Sequence, residues 1–358
     1  MLKELADAAD EAVAGGVFPG ASVLVSLEGR VVHLAYHGTT GGAAGEPVSP
    51  STVYDVASLT KPLAMTAALM TMESRGASPT SWSIGRHIAE FRAGDRGEIT
   101  VAQVLSHRSG LPAHREYFAS IPIELWATRR AKELVRRMAA GEPLEKPPGT
   151  ETIYSDLGFI VLEELFEREA GTRLDEFLSR ELYLPLGMID SFFRDLSSSW
   201  RWPVRVKAAP VTDGLEGVVD DENCRAMGGI SGHAGLFSTV LDLHALTREL
   251  LLGLEGKSRF FASEVVKKYW ARPEGAPPGT RAHGWDTPFV TGSAAGTRFS
   301  GGSVGHLGFT GCSVWIDPSR KLVVIVLSNR VFPTRSNEKI KEFRPVFHDL
   351  VFDSLGIK

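Results

Sequence analysis

Ser58 and Lys61 stand three residues apart in the stretch "YDVASLTKPLAMTAALM". A serine hydroxyl attacks a carbonyl only when a neighbouring base takes its proton. On a helix, residues three apart share a face with Cβ atoms about 5–6 Å apart. Lys61 can therefore meet Ser58, and burial beside another positive group would lower its pKa towards a useful range. The start of a helix also offers free N–H groups and a partial positive charge to a developing oxyanion. Pro62 fits there, because the first turn needs no N–H from it.

So short a motif arises by chance about once in a chain of this composition. A second copy does occur, Ser336-Asn337-Glu338-Lys339, and it reads as an N-cap followed by a surface turn. Two further groups carry chemistry. Tyr154-Ser155-Asp156 precedes a helical pattern in "PGTETIYSDLGFIVLEEL", and His306-Leu307-Gly308 sits on a strand pattern in "VGHLGFTGCSVWID". A competing motif, Gly301-Gly302-Ser303-Val304-Gly305, fits G-x-S-x-G, with Asp317 and His348 downstream as nominal triad partners. A nucleophile elbow needs a strand before it and a helix after it, whereas here a strand pattern follows.

The elements that must position these groups are legible in outline. An amphipathic N-terminal helix precedes "GASVLVSLEG" and "RVVHLAYHG", two strands joined at Glu28-Gly29 as a hairpin. A short strand, "STVYDVA", leads into a helix over 58–74 that ends near Gly76. Residues 77–200 show mainly helical periodicity. "AKELVRRMAAG" and "LGFIVLEELFEREAG" each end in Gly, and "RLDEFLSRELYLPLGM" stops before Pro185. "ISGHAGLFSTVLDLHALTRELLLG" reads as glycine turns running into a long helix. From about 283 strands return in "SVGHLGF", "CSVWID" and "KLVVIVLSN". A final helix carries Pro345 as a kink or break. The first and last strand groups most economically form one antiparallel sheet, built from 1–75 and 230–358, with 76–229 inserted as a mainly helical lobe.

The bulk composition excludes several roles. The chain has 358 residues, 43% hydrophobic and 23% charged, with a net charge of −4. Its pI is about 6.2 and its mean hydropathy −0.03. Nothing there attracts nucleic acid or an anionic membrane, so the expected partner is a small-molecule substrate. The oligomeric state stays open. No basic n-region precedes an apolar run, and "KLVVIVL" is too short to span a bilayer, so a cytoplasmic location is expected, or a periplasmic one if a leader has been removed. Cys224 and Cys312 have no metal-binding spacing and read as buried free thiols. No metal or organic cofactor is implied.

Taken in order, the SxxK, Tyr-x-Asp and His-Leu-Gly groups resemble the motifs of the penicillin-recognising serine hydrolases: class C β-lactamases, D-alanyl-D-alanine carboxypeptidases and related esterases. "VLSHRSGLP", "YLPLGMIDSFF" and "GGISGHAGLFST" extend the resemblance over about 18–330. The resemblance implies a β-lactamase/transpeptidase-like α/β fold of the α+β type, with an antiparallel sheet flanked by helices. It implies Ser58 as the acylated nucleophile, Lys61 as its activating partner and Tyr154 as general base and later acid. The backbone N–H groups of Ser58 and Phe309 would form the oxyanion hole, and Asp156, His306, Leu307 and Gly308 would face the substrate.

Three positions depart from the family. Asp156 stands where Asn is common and offers only acceptors, so it could pair with Lys61. His306 replaces a lysine and would hold a substrate carboxylate only when protonated, near pH 6.5. Leu307 replaces a hydroxyl. These departures favour a small ester, amide or D-amino-acid peptide over efficient β-lactam hydrolysis. The alternatives are a weak β-lactamase or D,D-peptidase, and a non-catalytic binding module that keeps the fold. His107 and His233 read as structural turn residues, and Arg330 is the reserve cation for a carboxylate.

Overall fold

The computed structural model describes residues 2–41, 45–92, 94–199, 201–276, 281–289 and 291–357, except the side chain of Asp95. Its main sheet has the order β2-β1-β9-β8-β7, with every neighbouring pair antiparallel. The strands are β1 (Gly20–Leu27), β2 (Arg30–Gly38), β7 (Val304–Leu307), β8 (Ser313–Asp317) and β9 (Leu322–Ser328). Both ends of the chain thus build one sheet, as the patterning implied. Glu28 and Gly29 close the first hairpin with φ of +52° and +78°, the left-handed pair that a two-residue primed turn requires.

The unbroken apolar runs of β1 and β9 follow from their place in the middle of the sheet. Successive side chains point to opposite faces. Val23, Val25, Val324 and Val326 pack against the N-terminal helix Lys3–Ala14 and the C-terminal helix Ile340–Leu355, through Leu5, Ala9, Phe347 and Val351. Leu24, Val323, Ile325 and Leu327 face the other way, into the larger core that includes Leu243, Leu246 and Leu250 of helix Val240–Leu254. Covered on both faces, these strands have no polar side to alternate with.

A second sheet, order β4-β6-β3-β5, was not foreseen. It joins β3 (Thr52–Asp55), β4 (Phe192–Phe193), β5 (Lys207–Ala208) and β6 (Leu236–Ser238). Its strands are two to four residues long, too short for periodicity to reveal. It links residues inside 76–229 to strands on either side of that range.

Three local expectations are corrected. β6 precedes the helix Val240–Leu254, where glycine turns leading straight into the helix were expected. The segment before Pro185 does not stop there: it continues as a tight turn, Leu184–Leu186, and ends at Gly187, whose φ is +77°. The helix Ile340–Leu355 runs continuously through Pro345. Cys224 and Cys312 are free and buried, as expected. No helix among the described residues is long and apolar enough to cross a membrane.

Candidate active site

β3 delivers the chain to the site and Asp55 turns it. Its Oδ1 accepts the N–H of Ala57 at 2.9 Å and its Oδ2 that of Asp220 at 2.7 Å. Ala57 has a φ of +49°, a left-handed conformation that costs a residue with a Cβ about 1–3 kcal/mol. The turn swings Ser58 out of the strand line. The helix expected over 58–74 is built in three gauges: a 3₁₀ turn at Ala57–Leu59, a π segment at Lys61–Thr66, and an α-helix at Ala67–Ser74. π segments often mark functional sites. Thr60 braces the bend, donating to Ala57 O at 2.6 Å and accepting the N–H of Leu236 at 3.2 Å.

Lys61 is fully buried beneath Ser58. Its ammonium donates to Ser58 Oγ at 2.8 Å and to His233 O at 3.3 Å, and pairs with Asp156 Oδ1 at 2.7 Å. It also lies 4.8 Å from the centre of the Tyr154 ring. Burial alone would lower its pKa, but Asp156 and Tyr154 outweigh burial and raise it. This corrects the expectation of a lowered value: the carboxylate at 156 makes Lys61 a resident cation.

Tyr154 and Asp156 are held by the segment entering helix Asp156–Ala170. Ser155 caps that helix by accepting the N–H of Gly158 at 3.2 Å, and it anchors to Pro112 O at 2.6 Å. The ring of His107 lies 4.6 Å from that of Tyr154, and its Nδ1 accepts the N–H of Ser155 at 2.9 Å. Burial first, then the charges of Arg281 and Lys61, holds His107 well below its usual pKa, which fits its packing role. His233 receives Lys61 through its carbonyl, and its ring pairs with Asp221 at 3.0 Å. Burial would raise the Asp156 pKa, yet Lys61 and the His114 hydrogen bond at 3.3 Å hold it well below the usual carboxylate range.

β7 forms the opposite wall. Gly308 lets it come close: a Cβ there would lie 2.4 Å from Val56 O, in the turn between β3 and Ser58. Thr310 then ties the loop down by donating to Asp55 O at 2.7 Å. The N–H of Phe309 has no acceptor among the described residues. Ser58, Tyr154 and Asp156 face His306, Leu307, Gly308 and Phe309 across a cleft of about 1320 Å³. The residues singled out from sequence therefore converge on one cavity, with Lys61 below its floor.

His306 requires a correction. Its Nδ1 donates to Leu307 O at 2.9 Å, and it is 3% exposed. Burial, then Arg281 and Lys61, pushes its pKa well below 6.5. It is uncharged across the neutral range and cannot act as a carboxylate anchor that switches on near pH 6.5. Arg330 is no substitute: its Nε and Nη1 are committed to the carbonyls of Phe309, Arg335 and Asn337.

Sequence reasoning missed Arg281 and His114. Arg281 lies 4.8 Å from the centre of the Tyr154 ring and 3.2 Å from Asp286, whose backbone pairs with Gly305 of β7. No spacing signal marks it, because it arrives from a loop. The structure agrees that G-x-S-x-G is no nucleophile elbow here. Ser303 is fully buried, bonds Ser300 at 3.1 Å and enters β7 rather than a helix. Asp317 serves Ser300, Ser319 and Arg320, and His348 lies against Ser313.

The family model described as Beta-lactamase matches residues 5–345. The chain belongs to the beta-lactamase family. It is 28% identical over 349 residues to a protein of Escherichia coli (strain K12) that carries the provisional name D-alanyl-D-alanine carboxypeptidase, covering 87% of this chain and 79% of that one. Its fold is similar to that of EstCE1, "a hydrolase with promiscuous acyltransferase activity", with a TM-score of 0.75, 20% identity, and coverage of 96% and 98%. It is also similar to an octameric penicillin-binding protein homologue from Pyrococcus abyssi, with a TM-score of 0.74, 20% identity, and coverage of 99% and 78%. The β-lactamase-like fold and membership of a serine hydrolase family are thereby established.

Proposed function

We propose that the protein hydrolyses small esters, amides or D-amino-acid peptides through an acyl-Ser58 intermediate. The observation that carries this reading is the Lys61 ammonium, fully buried and within 2.8 Å of Ser58 Oγ and 2.7 Å of Asp156. A buried cation in contact with a serine beside a cleft has a chemical use that structure alone does not require.

Because Lys61 is already protonated, it is not the resting base. Tyr154 acts from its phenolate form, its own proton having passed to solvent, with the Lys61 ammonium 4.8 Å from its ring centre balancing the negative charge. In that form it takes the Ser58 proton and becomes the neutral phenol. Ser58 Oγ bonds to the substrate carbonyl carbon, and the N–H groups of Ser58 and Phe309 receive the resulting oxyanion. When the tetrahedral adduct collapses, Tyr154 returns the proton to the departing alcohol or amine. Water then attacks the acyl-Ser58 ester, giving its proton to the Tyr154 phenolate, and Tyr154 passes that proton to Ser58 Oγ as the C–O bond breaks and the acid is released. Phe309 and Leu307, where a hydroxyl is absent, give the β7 wall an apolar character suited to an ester acyl chain.

The test is a fluorophosphonate or fluorescent penicillin probe, read by peptide mass spectrometry, followed by a panel of activated esters, D-amino-acid amides and β-lactams. The expected result is a covalent adduct on Ser58 and turnover of activated esters. A chain that binds such compounds without labelling Ser58 would be a binding module, and this reading would fail.

A further inference from the structure

We infer that Arg344 is a positioning residue for the oxyanion hole, acting through the Gly308–Phe309 peptide. This rests on the Ser58 acyl-enzyme reading and on Phe309 N–H as its second oxyanion donor. Gly308 C=O and Phe309 N–H belong to one peptide unit. In a trans peptide they point in opposite directions. A positive group at the carbonyl therefore enlarges and aims the dipole at the N–H end. Arg344, on the C-terminal helix, donates through Nη2 to Gly308 O at 2.9 Å and to Cys312 O at 2.7 Å.

Neither carbonyl needs the arginine for satisfaction. Gly308 O already accepts the N–H of Gly311 at 3.1 Å, and Cys312 O that of Gly308 at 2.7 Å. Arg344 is 6% exposed, and among the described residues it has no carboxylate partner; its Nε has no acceptor. Burial pushes its pKa down to about 10, so it keeps its charge at neutral pH. An unpaired buried cation is costly to keep. Its charge lies against the carbonyl of the peptide that carries the Phe309 N–H, and Gly308 and Phe309 both line the cleft. Arg330 grips the next carbonyl, Phe309 O, at 2.8 Å, so both peptides around Phe309 are fixed.

The test pairs kinetics with a spectroscopic signature. A neutral ester labelled with ¹³C at its carbonyl is reacted with the wild type and with Arg344→Met, Arg344→Gln and Arg344→Lys. The infrared stretch of the acyl-Ser58 carbonyl is recorded beside kcat and KM. The neutral variants are expected to fold with an unchanged or raised melting temperature and to lose kcat about tenfold with little change in KM, a fraction of what deleting an oxyanion donor costs. The carbonyl band should move to higher frequency as its hydrogen bond weakens. Arg344→Lys should recover much of kcat and return the band towards its wild-type position. A wild-type band that does not move in the neutral variants would overturn the role of Arg344 while leaving Ser58 in place. So would a loss confined to KM, or a neutral variant that cannot fold, which would make the arginine a binding or structural group. Absence of any acyl band in the wild type would overturn the Ser58 reading itself, and this inference with it.

Discussion

Ser58–Lys61 and Ser336–Lys339 share one spacing and have opposite settings. Ser58 follows a left-handed residue and opens onto a cleft, over a lysine that water cannot reach and that a carboxylate holds charged. Ser336 is exposed and bonds Thr334 at 3.1 Å. Lys339, also exposed, donates to Gly15 O at 2.8 Å on the far side of a turn. Nor does Ser336 cap the last helix as expected: the residue before that helix is Lys339, which makes no side-chain cap. Charge–hydroxyl contacts in water are screened and worth little, while the same contact in a closed site can shift a proton. The spacing is permissive, and burial beside Asp156 separates the two copies.

The largest effect should come from the two serines. Ser58→Ala is expected to cut ester turnover at least about a thousandfold, since no nucleophile remains. Ser336→Ala and Ser303→Ala should stay within about twofold. Comparable losses at Ser58 and Ser336, measured as kcat/KM on one activated ester, would erase the contrast.

The lysines come next. Lys61→Ala and Tyr154→Phe should each lose at least about a hundredfold, the usual scale of acid–base contributions, with Lys339→Ala near wild type. Asp156→Asn sharpens the point. Asp156 is the main charge holding the Lys61 pKa up against burial. Without it Lys61 sheds its proton at lower pH, and the alkaline limb of kcat/KM should move down. A limb that stays put would mean that Lys61 need not be charged.

A smaller effect concerns the β7 wall. With His306 uncharged, the ratio of kcat/KM for a carboxylate-bearing ester to that for a neutral ester should stay level from pH 8 to 5.5. Arg281→Gln should lower the ratio about three- to tenfold, the worth of a partly exposed charge-assisted contact. A ratio that climbs as pH falls would restore a protonated His306.

The smallest effect is on stability. His107 and His306 have folded pKa values lowered well below 6.5. Below about pH 6.5 the unfolded chain therefore binds protons that the folded chain does not, and stability falls as pH drops. Melting temperatures from pH 7.5 to 5 should decline, and His306→Gln should reduce the slope. A slope unchanged by that variant would place the titration elsewhere.

Local signals carried most of the outline because they are local in cause. Period-two and period-3.6 patterning located the long helices and the five-stranded sheet, and Glu28-Gly29 marked its hairpin. The second sheet escaped because its strands are two to four residues long and held by partners distant in sequence. Pro185 misled because it falls in the first turn of a new short helical segment, Leu184–Leu186, where its missing N–H costs nothing, and the last helix simply carries Pro345 without a break.

By itself, the sequence determined which side chains were available: a serine and lysine three apart, a tyrosine two residues before an aspartate, and a glycine that lets β7 approach Val56. Those are matters of spacing and of the space a Cβ takes. Charge states and convergence belonged to the tertiary structure. Asp156 raised the Lys61 pKa instead of leaving it lowered, His306 became a buried neutral ring, and Arg281 and Arg344 entered from a distant loop and the last helix. The reason is physical: a pKa depends on burial and on charges within a few ångströms, and both come from chain segments that only folding brings together.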